Sequence, residues 1–376
     1  MHVIALEDEP SSLRGGQELN LLEICRGLSQ RGHSISLLYV KAGNLIKQYQ
    51  EFCSHVMKVD SYQFNRSRIA HTFNFLFYIW KTPSSKNSVI FSNHYNNVIF
   101  GSILSVSKNI PFVCYLQLPP IYGFSRPHAI GLKRVKQFIT VSNQTKLDWV
   151  KRGFKQEKID VVHNGTNLEV FKPANNFDAI RKEWNITDDI RIISYLGRLD
   201  KDKGLETLIK AFALLLKSGK VTRLLIAGKP VIQGEEYKKS LEQLVTDLGI
   251  EKYVRFLGHV ANTTSVYQVS DVTVLPSQWS EPFGRTIIES MACGTPVVAS
   301  RTGGIPEILT GEFQRGLFEP GNERDLANNL NLSMNWREKN PLLGERCCKH
   351  VFSKFTLDKM VDGIEKLLLK FVESDL

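Results

Sequence analysis

Short apolar runs alternate along the whole chain with stretches whose apolar positions return every three or four residues. Runs of the first kind read as strands buried on both faces, and stretches of the second kind as helices that cover them. Their alternation is the pattern of βαβ units around parallel sheets. It predicts strands at residues 2–6, 34–40, 89–92, 112–116, 137–141 and 159–163 in the first half. In the second half the predicted strands are 191–196, 223–227, 254–257, 272–275 and 296–299. Helices are predicted at 17–30, 203–217, 235–248 and 285–293, with a terminal amphipathic one near 357–372. The turn-rich segment from Asn164 to Pro173 leads into the polar stretch 174–189, and the hinge is expected there.

At 376 residues the chain is longer than one hydrophobic core usually organises, so two α/β domains are expected, 1–167 and 168–355, followed by a terminal helix at 356–376. No apolar run approaches the ~20 residues of a membrane-spanning helix. Met1-His2-Val3-Ile4-Ala5-Leu6 runs straight into Glu7-Asp8-Glu9 without a basic leader or cleavage site, so it reads as a first strand and the chain is expected in the cytoplasm. The six cysteines lack metal-ligand spacing and read as reduced thiols.

Charge changes the picture only when it is divided. The net +10 lies entirely in residues 1–167, with 20 basic against 10 acidic side chains, whereas the remainder balances at 28 each. From Ser61 to Leu147 there are ten basic residues and no acidic one.

Two segments carry candidate chemistry. In Tyr195-Leu196-Gly197-Arg198-Leu199-Asp200-Lys201-Asp202-Lys203-Gly204, a strand end leads into a helix, and Arg198 and Lys203 can converge on one anion. The plain alternative is a pair of solvated loop cations. In Ser280-Glu281-Pro282-Phe283-Gly284-Arg285-Thr286-Ile287-Ile288-Glu289, one carboxylate sits in a loop and another one turn into a helix, around a turn that exposes backbone amides. A phosphate at that N-terminus, with a carboxylate accepting hydroxyls on either side, suits a sugar–diphosphate–ribose ligand. Glu289 lies in a largely apolar helix, where an unpaired carboxylate is costly.

These two stretches resemble the donor-site motifs of the retaining glycosyltransferases of family 4, members of the GT-B class, including paired glutamates eight positions apart. Further segments resemble the family in order: Gly15-Gly16-Gln17-Glu18, Arg31-Gly32-His33, Thr140-Val141-Ser142, Val162-His163-Asn164-Gly165, Met291 to Ala299 and Gly303-Gly304-Ile305-Pro306-Glu307. The resemblance implies two facing Rossmann-like domains, with the terminal helix returning to the first. It implies that Arg198 and Lys203 bind the diphosphate, Glu289 the ribose, and Glu281 the transferred sugar. The amides of Phe283, Gly284, Arg285 and Thr286 would complete the phosphate and sugar contacts. Gly16 resembles the glycine loop that approaches the phosphates, and Gly258-His259 the strand end that reads the base. His94 resembles a histidine near the reacting sugar, although a lone histidine at a strand end is more often structural. Gln117 stands where many relatives have a histidine.

The implied reaction moves a hexosyl-type sugar from a nucleoside-diphosphate sugar to a hydroxyl of a glycan, glycolipid or small molecule. No cofactor or metal is expected, since Arg198, Lys203 and a helix N-terminus supply the countercharge; Asp200 and Asp202 match a D-x-D metal motif only superficially. Two other readings compete. One is a basic membrane- or nucleic-acid-binding protein on a degenerate transferase fold, which the intact Arg198, Lys203, Glu281 and Glu289 oppose; no nucleic-acid partner is expected. The other is a dinucleotide-dependent oxidoreductase, which the absence of G-x-G-x-x-G after the first strand opposes. The basic half predicts attachment to an anionic membrane surface. Arg66 and Arg68 precede Phe73, Phe75, Phe77, Tyr78 and Trp80, and Arg126, Lys133, Arg134 and Lys136 follow. The alternative is that these aromatics fill the core.

Overall fold

The computed structural model describes residues 1–63, 69–120, 123–187, 189–219, 221–230 and 234–373. The chain forms two compact units, Met1–Asn164 together with Leu357–Leu376, and Gly165–Thr356. The division falls after Asn164 because Thr166 already donates its N–H to Phe355 O (2.9 Å), a residue of the second unit. Asn164 itself is held in the first unit by the Tyr115 hydroxyl (2.8 Å).

The first unit is built on a parallel sheet of β1 (His2–Glu7), β2 (Ser34–Tyr39), β3 (His55–Lys58), β4 (Ser88–Ser92), β5 (Phe112–Leu116), β6 (Gln137–Thr140) and β7 (Ile159–Val161). Their spatial order is β3-β2-β1-β4-β5-β6-β7. The second unit repeats the scheme with β8 (Arg191–Leu196), β9 (Thr222–Ala227), β10 (Val254–Gly258), β11 (Val272–Leu275), β12 (Val297–Ser300) and β13 (Leu317–Phe318), ordered β10-β9-β8-β11-β12-β13. Both are Rossmann-type orders in which the sequence reverses direction beside the first strand. The central strands are buried along their length, which is why they read as unbroken apolar runs. Two strands missing from the sequence pattern, β3 and β13, are short and lie at sheet edges.

Several helices sharpen the expected map. Leu205–Lys217 starts two residues later than the pattern suggested. Lys203 instead closes a 3₁₀ turn, Lys201–Lys203, and Gly204 follows in the left-handed region (φ 70°), which a continuous helix cannot pass through. The helix Leu357–Glu373 packs on Gly16–Gln30. Glu365 from it takes Arg31 Nη1 and His33 Nε2, each at 2.6 Å, so the Arg31-Gly32-His33 motif anchors the terminal helix. All six cysteines are free. Among the described residues, no helix is long and apolar enough to cross a membrane.

Candidate functional site

Open parallel sheets bind ligands beyond the carboxyl ends of their strands, at the point where the strand order reverses. In the second unit that point lies between β8 and β11. Arg198 follows the first of these strands, and the loop carrying Glu281 follows the second.

Backbone contacts weld the two loops together. Gln278 N donates to Asp202 O (2.8 Å), and the Gln278 side-chain amide donates to Thr207 Oγ1 (2.8 Å). A Cβ on Gly204 would lie 2.0 Å from Pro276 O, so only glycine permits this approach. The far side of the Glu281 loop is clamped in the same way. Gly304 N donates to Glu281 O (2.8 Å), and a Cβ on Gly303 would lie 2.0 Å from that oxygen. The Gly303-Gly304 motif therefore works as a backbone clamp.

Within this frame Lys203 Nζ donates to Glu281 Oε2 at 2.6 Å and stands 5.4 Å from the centroid of the Trp279 ring. Ser277 Oγ (2.9 Å) and Trp279 Nε1 (3.2 Å) donate to the same carboxylate oxygen. Burial opposes ionisation of Glu281, but the Lys203 ammonium and these hydrogen bonds outweigh it and hold the carboxyl below its usual range. All three donors fall on Oε2. Oε1 is therefore left, among the described residues, as an acceptor for a ligand hydroxyl.

Arg198 pairs with the buried Asp200 at 3.1 Å, and its carbonyl is fixed by the Tyr195 hydroxyl (2.6 Å). The guanidinium remains about one-third exposed, free to present its other donors. Asp200 is buried whereas Asp202 is exposed, so the two acids of the D-x-D match occupy different environments.

Helix Arg285–Ala292 begins after Gly284 with no side-chain cap, and its Ile287 amide donates to Gly284 O (3.0 Å). One turn on, Glu289 takes Arg285 Nε (3.2 Å) on one oxygen and the Tyr267 hydroxyl (2.9 Å) on the other. The cost of a carboxylate in an apolar helix is thereby met. Phe283 is buried against Phe355, so only its backbone can serve a ligand. Thr286 is half-buried on the first turn. Gly258 ends β10, and His259 beyond it is exposed, two strands from β8. Arg198, Lys203, Glu281, Arg285 and Glu289 thus all lie on the loops after β8 and β11 of one unit and on the helix that follows the second loop.

Gly16 and His94 belong to the first unit, whose own reversal point lies between β1 and β4. Gly15 carries the positive φ (148°) and Gly16 opens the helix Gly16–Gln30, again without a side-chain cap. His94 Nδ1 accepts from Asn96 N (3.0 Å). Burial first, and then the charge of Arg14, push its imidazolium down to about 4, so at neutral pH the ring is neutral with its proton on Nε2.

Sequence reasoning missed the polar network beneath this loop. Glu7 Oε2 takes Asn93 Nδ2 (2.5 Å), the Gln117 amide donates to Asn93 Oδ1 (2.6 Å) and accepts from Asn20 Nδ2 (2.6 Å), and Gln17 Nε2 donates to Asn93 O (2.7 Å). Gln117 therefore has a structural partner set of its own. A carboxylate ending an otherwise apolar strand was the signal available. Ser277, Trp279 and Tyr267, which hold the two site glutamates, carried no such signal.

Residues 176–346 match the family described as Glycosyl transferases group 1, and residues 14–170 match Glycosyltransferase Family 4. The chain belongs to glycosyltransferase family 4. It is 31% identical over 211 residues to the D-inositol 3-phosphate glycosyltransferase of Mycolicibacterium smegmatis, covering 56% of this chain and 46% of that protein. An uncharacterized glycosyltransferase of Methanocaldococcus jannaschii is 25% identical over 343 residues, 85% of each chain. The chain spans between about a third and a half of the length of the first curated relatives that it matches. Among solved structures, Anabaena HepE in complex with UDP superimposes with a TM-score of 0.84 at 22% identity, covering 98% of this chain and 99% of that one. That likeness gives the GT-B fold.

Proposed function

We propose that the chain is a retaining glycosyltransferase that moves a hexosyl-type sugar from a nucleoside-diphosphate sugar to an acceptor hydroxyl, without a metal ion. The carrying observation is the Lys203–Glu281 pair, fixed on welded loops beside Arg198 and an uncapped helix N-terminus. Arg198, Lys203 and the first amides of Arg285–Ala292 receive the diphosphate, Glu289 the ribose, and Glu281 Oε1 a hydroxyl of the sugar. As the bond from the anomeric carbon to the β-phosphate oxygen breaks, its electron pair passes to that oxygen, where fixed cations stabilise it. The acceptor oxygen bonds to the anomeric carbon on the same face and gives its proton to the departing phosphate. The acceptor is a glycan, glycolipid or small molecule taken by the first unit. The donor complexes named for HepE, with UDP and with UDP-glucose, support a nucleotide-sugar donor.

Titration with UDP, GDP, ADP, NAD and an oligonucleotide tests the class, since only a nucleoside diphosphate should bind tightly; preference for NAD or the oligonucleotide sinks the reading. UDP-, GDP- and ADP-sugars, followed by slow hydrolysis without acceptor, then identify the donor. Activity is expected to survive EDTA. Complete loss, restored by magnesium or manganese, would overturn the metal-free mechanism and return Asp200 and Asp202 to the site.

The two glutamates should separate. Glu289→Ala should weaken free nucleotide about tenfold, the worth of one charged hydrogen bond. Glu281→Ala should leave free nucleotide nearly unchanged and weaken the intact nucleotide sugar. Identical profiles for the two variants would defeat the assignment of ribose and sugar ends.

A further inference from the structure

The helix Ile69–Lys81 answers the question that the sequence left open about its aromatics. Phe75 and Ile79 turn inward and are buried. Phe73, Leu76, Phe77 and Trp80 are 69%, 51%, 49% and 74% exposed. Their spacing, i, i+3, i+4 and i+7, places all four on one stripe of the helix, on the side away from the two core residues. Among the described side chains of the helix, Phe75 and Ile79 fill the core and the part-buried Tyr78 packs against it. An apolar stripe of this kind, presented to solvent, marks an interaction surface.

Two cations and one acid lie near the stripe. Lys81 Nζ lies 5.7 Å from the Phe77 ring centroid, and Lys108 Nζ donates to Trp80 O (3.0 Å), so two ammonium groups stand at its C-terminal end. Asp60, on the flank of the helix, is occupied by Asn74 Nδ2 (2.6 Å) and the Tyr78 hydroxyl (3.1 Å). From Ser61 to Leu147 no other acidic residue occurs. Arg66 and Arg68 lie outside the described residues. The helix has 13 residues, so at ~1.5 Å per residue it reaches about 20 Å, short of the ~30 Å hydrocarbon core, and it can lie on a bilayer but not span it.

We propose that this stripe docks the protein on an anionic lipid bilayer, with Phe73, Leu76, Phe77 and Trp80 entering the headgroup boundary and Lys81 and Lys108 meeting lipid phosphates. The surface belongs to the first unit and needs no nucleotide, so its test is independent of the transferase reading. Full-length protein is sedimented with vesicles of phosphatidylglycerol and phosphatidylcholine, and with phosphatidylcholine alone. Binding is expected on the anionic vesicles, about tenfold weaker on neutral ones, and reduced by salt as screening requires. Phe73→Ser/Phe77→Ser/Trp80→Ser should lower binding at least about tenfold, because the lost contact is apolar. Those side chains are exposed, so the variant should keep its thermal midpoint. As a second readout, tryptophan emission should shift to the blue on anionic vesicles, and Trp80→Phe, which spares the other four tryptophans, should abolish the shift. Equal binding by the triple variant, or no emission change, overturns the proposal. So does a wild-type dimer that the triple variant dissolves while vesicle binding stays unchanged, since the stripe is then an interface between copies.

Discussion

Replacing Lys203 by alanine is expected to lower glycosyl transfer by roughly 10²–10³-fold, and Arg198→Ala by a similar factor, the usual cost of removing one fixed stabiliser of developing charge. The ammonium of Lys203 sits on Glu281, 2.6 Å from Oε2. A bound diphosphate would draw on the same cation, which Gly204 and Gln278 keep in place without reorganisation. Both substitutions also remove a cation from an acid: Lys203→Ala takes it from Glu281, and Arg198→Ala from the buried Asp200. Losing one partner of a buried pair costs about 3–5 kcal/mol of stability when the other stays charged. Lys203→Ala/Glu281→Gln removes that penalty and should recover the thermal midpoint but not the rate. Near-normal turnover in a folded Lys203→Ala protein would defeat the leaving-group assignment. Recovery of the rate in the double variant would reduce Lys203 to a structural partner of Glu281.

Strands buried on both faces were legible because no solvent-facing residue interrupts them; β3 and β13 were not, since an edge strand of two to four residues carries too little pattern. The candidate cations and glutamates could be singled out because their residue types and spacing suit phosphate and hydroxyl chemistry. Their environment was not legible. Tyr267 reaches Glu289 across 22 positions of sequence, and Ser277 and Trp279 reach Glu281 through a loop whose course depends on Gly204 and Gly303. The start of the helix after Lys203 was misread because helical periodicity continues past Gly204 while the backbone, at φ 70°, does not. The aromatic segment at 73–80 gave composition without direction. Only the helix phase, with Phe75 and Ile79 inward, separates its core face from its exposed one.

Glu7 should make the stability of the first unit fall as pH rises, and Glu7→Gln should flatten that dependence. The carboxyl ends β1, is 3% exposed and takes Asp8 N (2.8 Å) and Asn93 Nδ2 (2.5 Å). Burial first, and then the charge of Glu18, raise it to about 8 despite those two hydrogen bonds. The groups facing it are Asp8, itself raised by burial, Glu18, whose charge Arg14 partly offsets, and Asn93, which does not titrate. An unfolded glutamate ionises near 4.5, so between 4.5 and 8 the folded chain holds a proton that the unfolded chain has released. The stabilisation is complete below the lower value and is lost as pH climbs through the upper one. Each pH unit inside that window is worth about 1.4 kcal/mol, so between pH 6 and pH 8 the loss reaches about 2–3 kcal/mol. Glutamine keeps the shape and has no proton to lose. Thermal unfolding followed at pH 6, 7, 8 and 9 should therefore show the wild-type midpoint dropping by several degrees relative to Glu7→Gln, with the two converging in slope above pH 8. Parallel curves for the two proteins across the whole range would mean that Glu7 is ionised in the folded state, and that the network of Asn93, Gln117 and Gln17 stabilises a carboxylate.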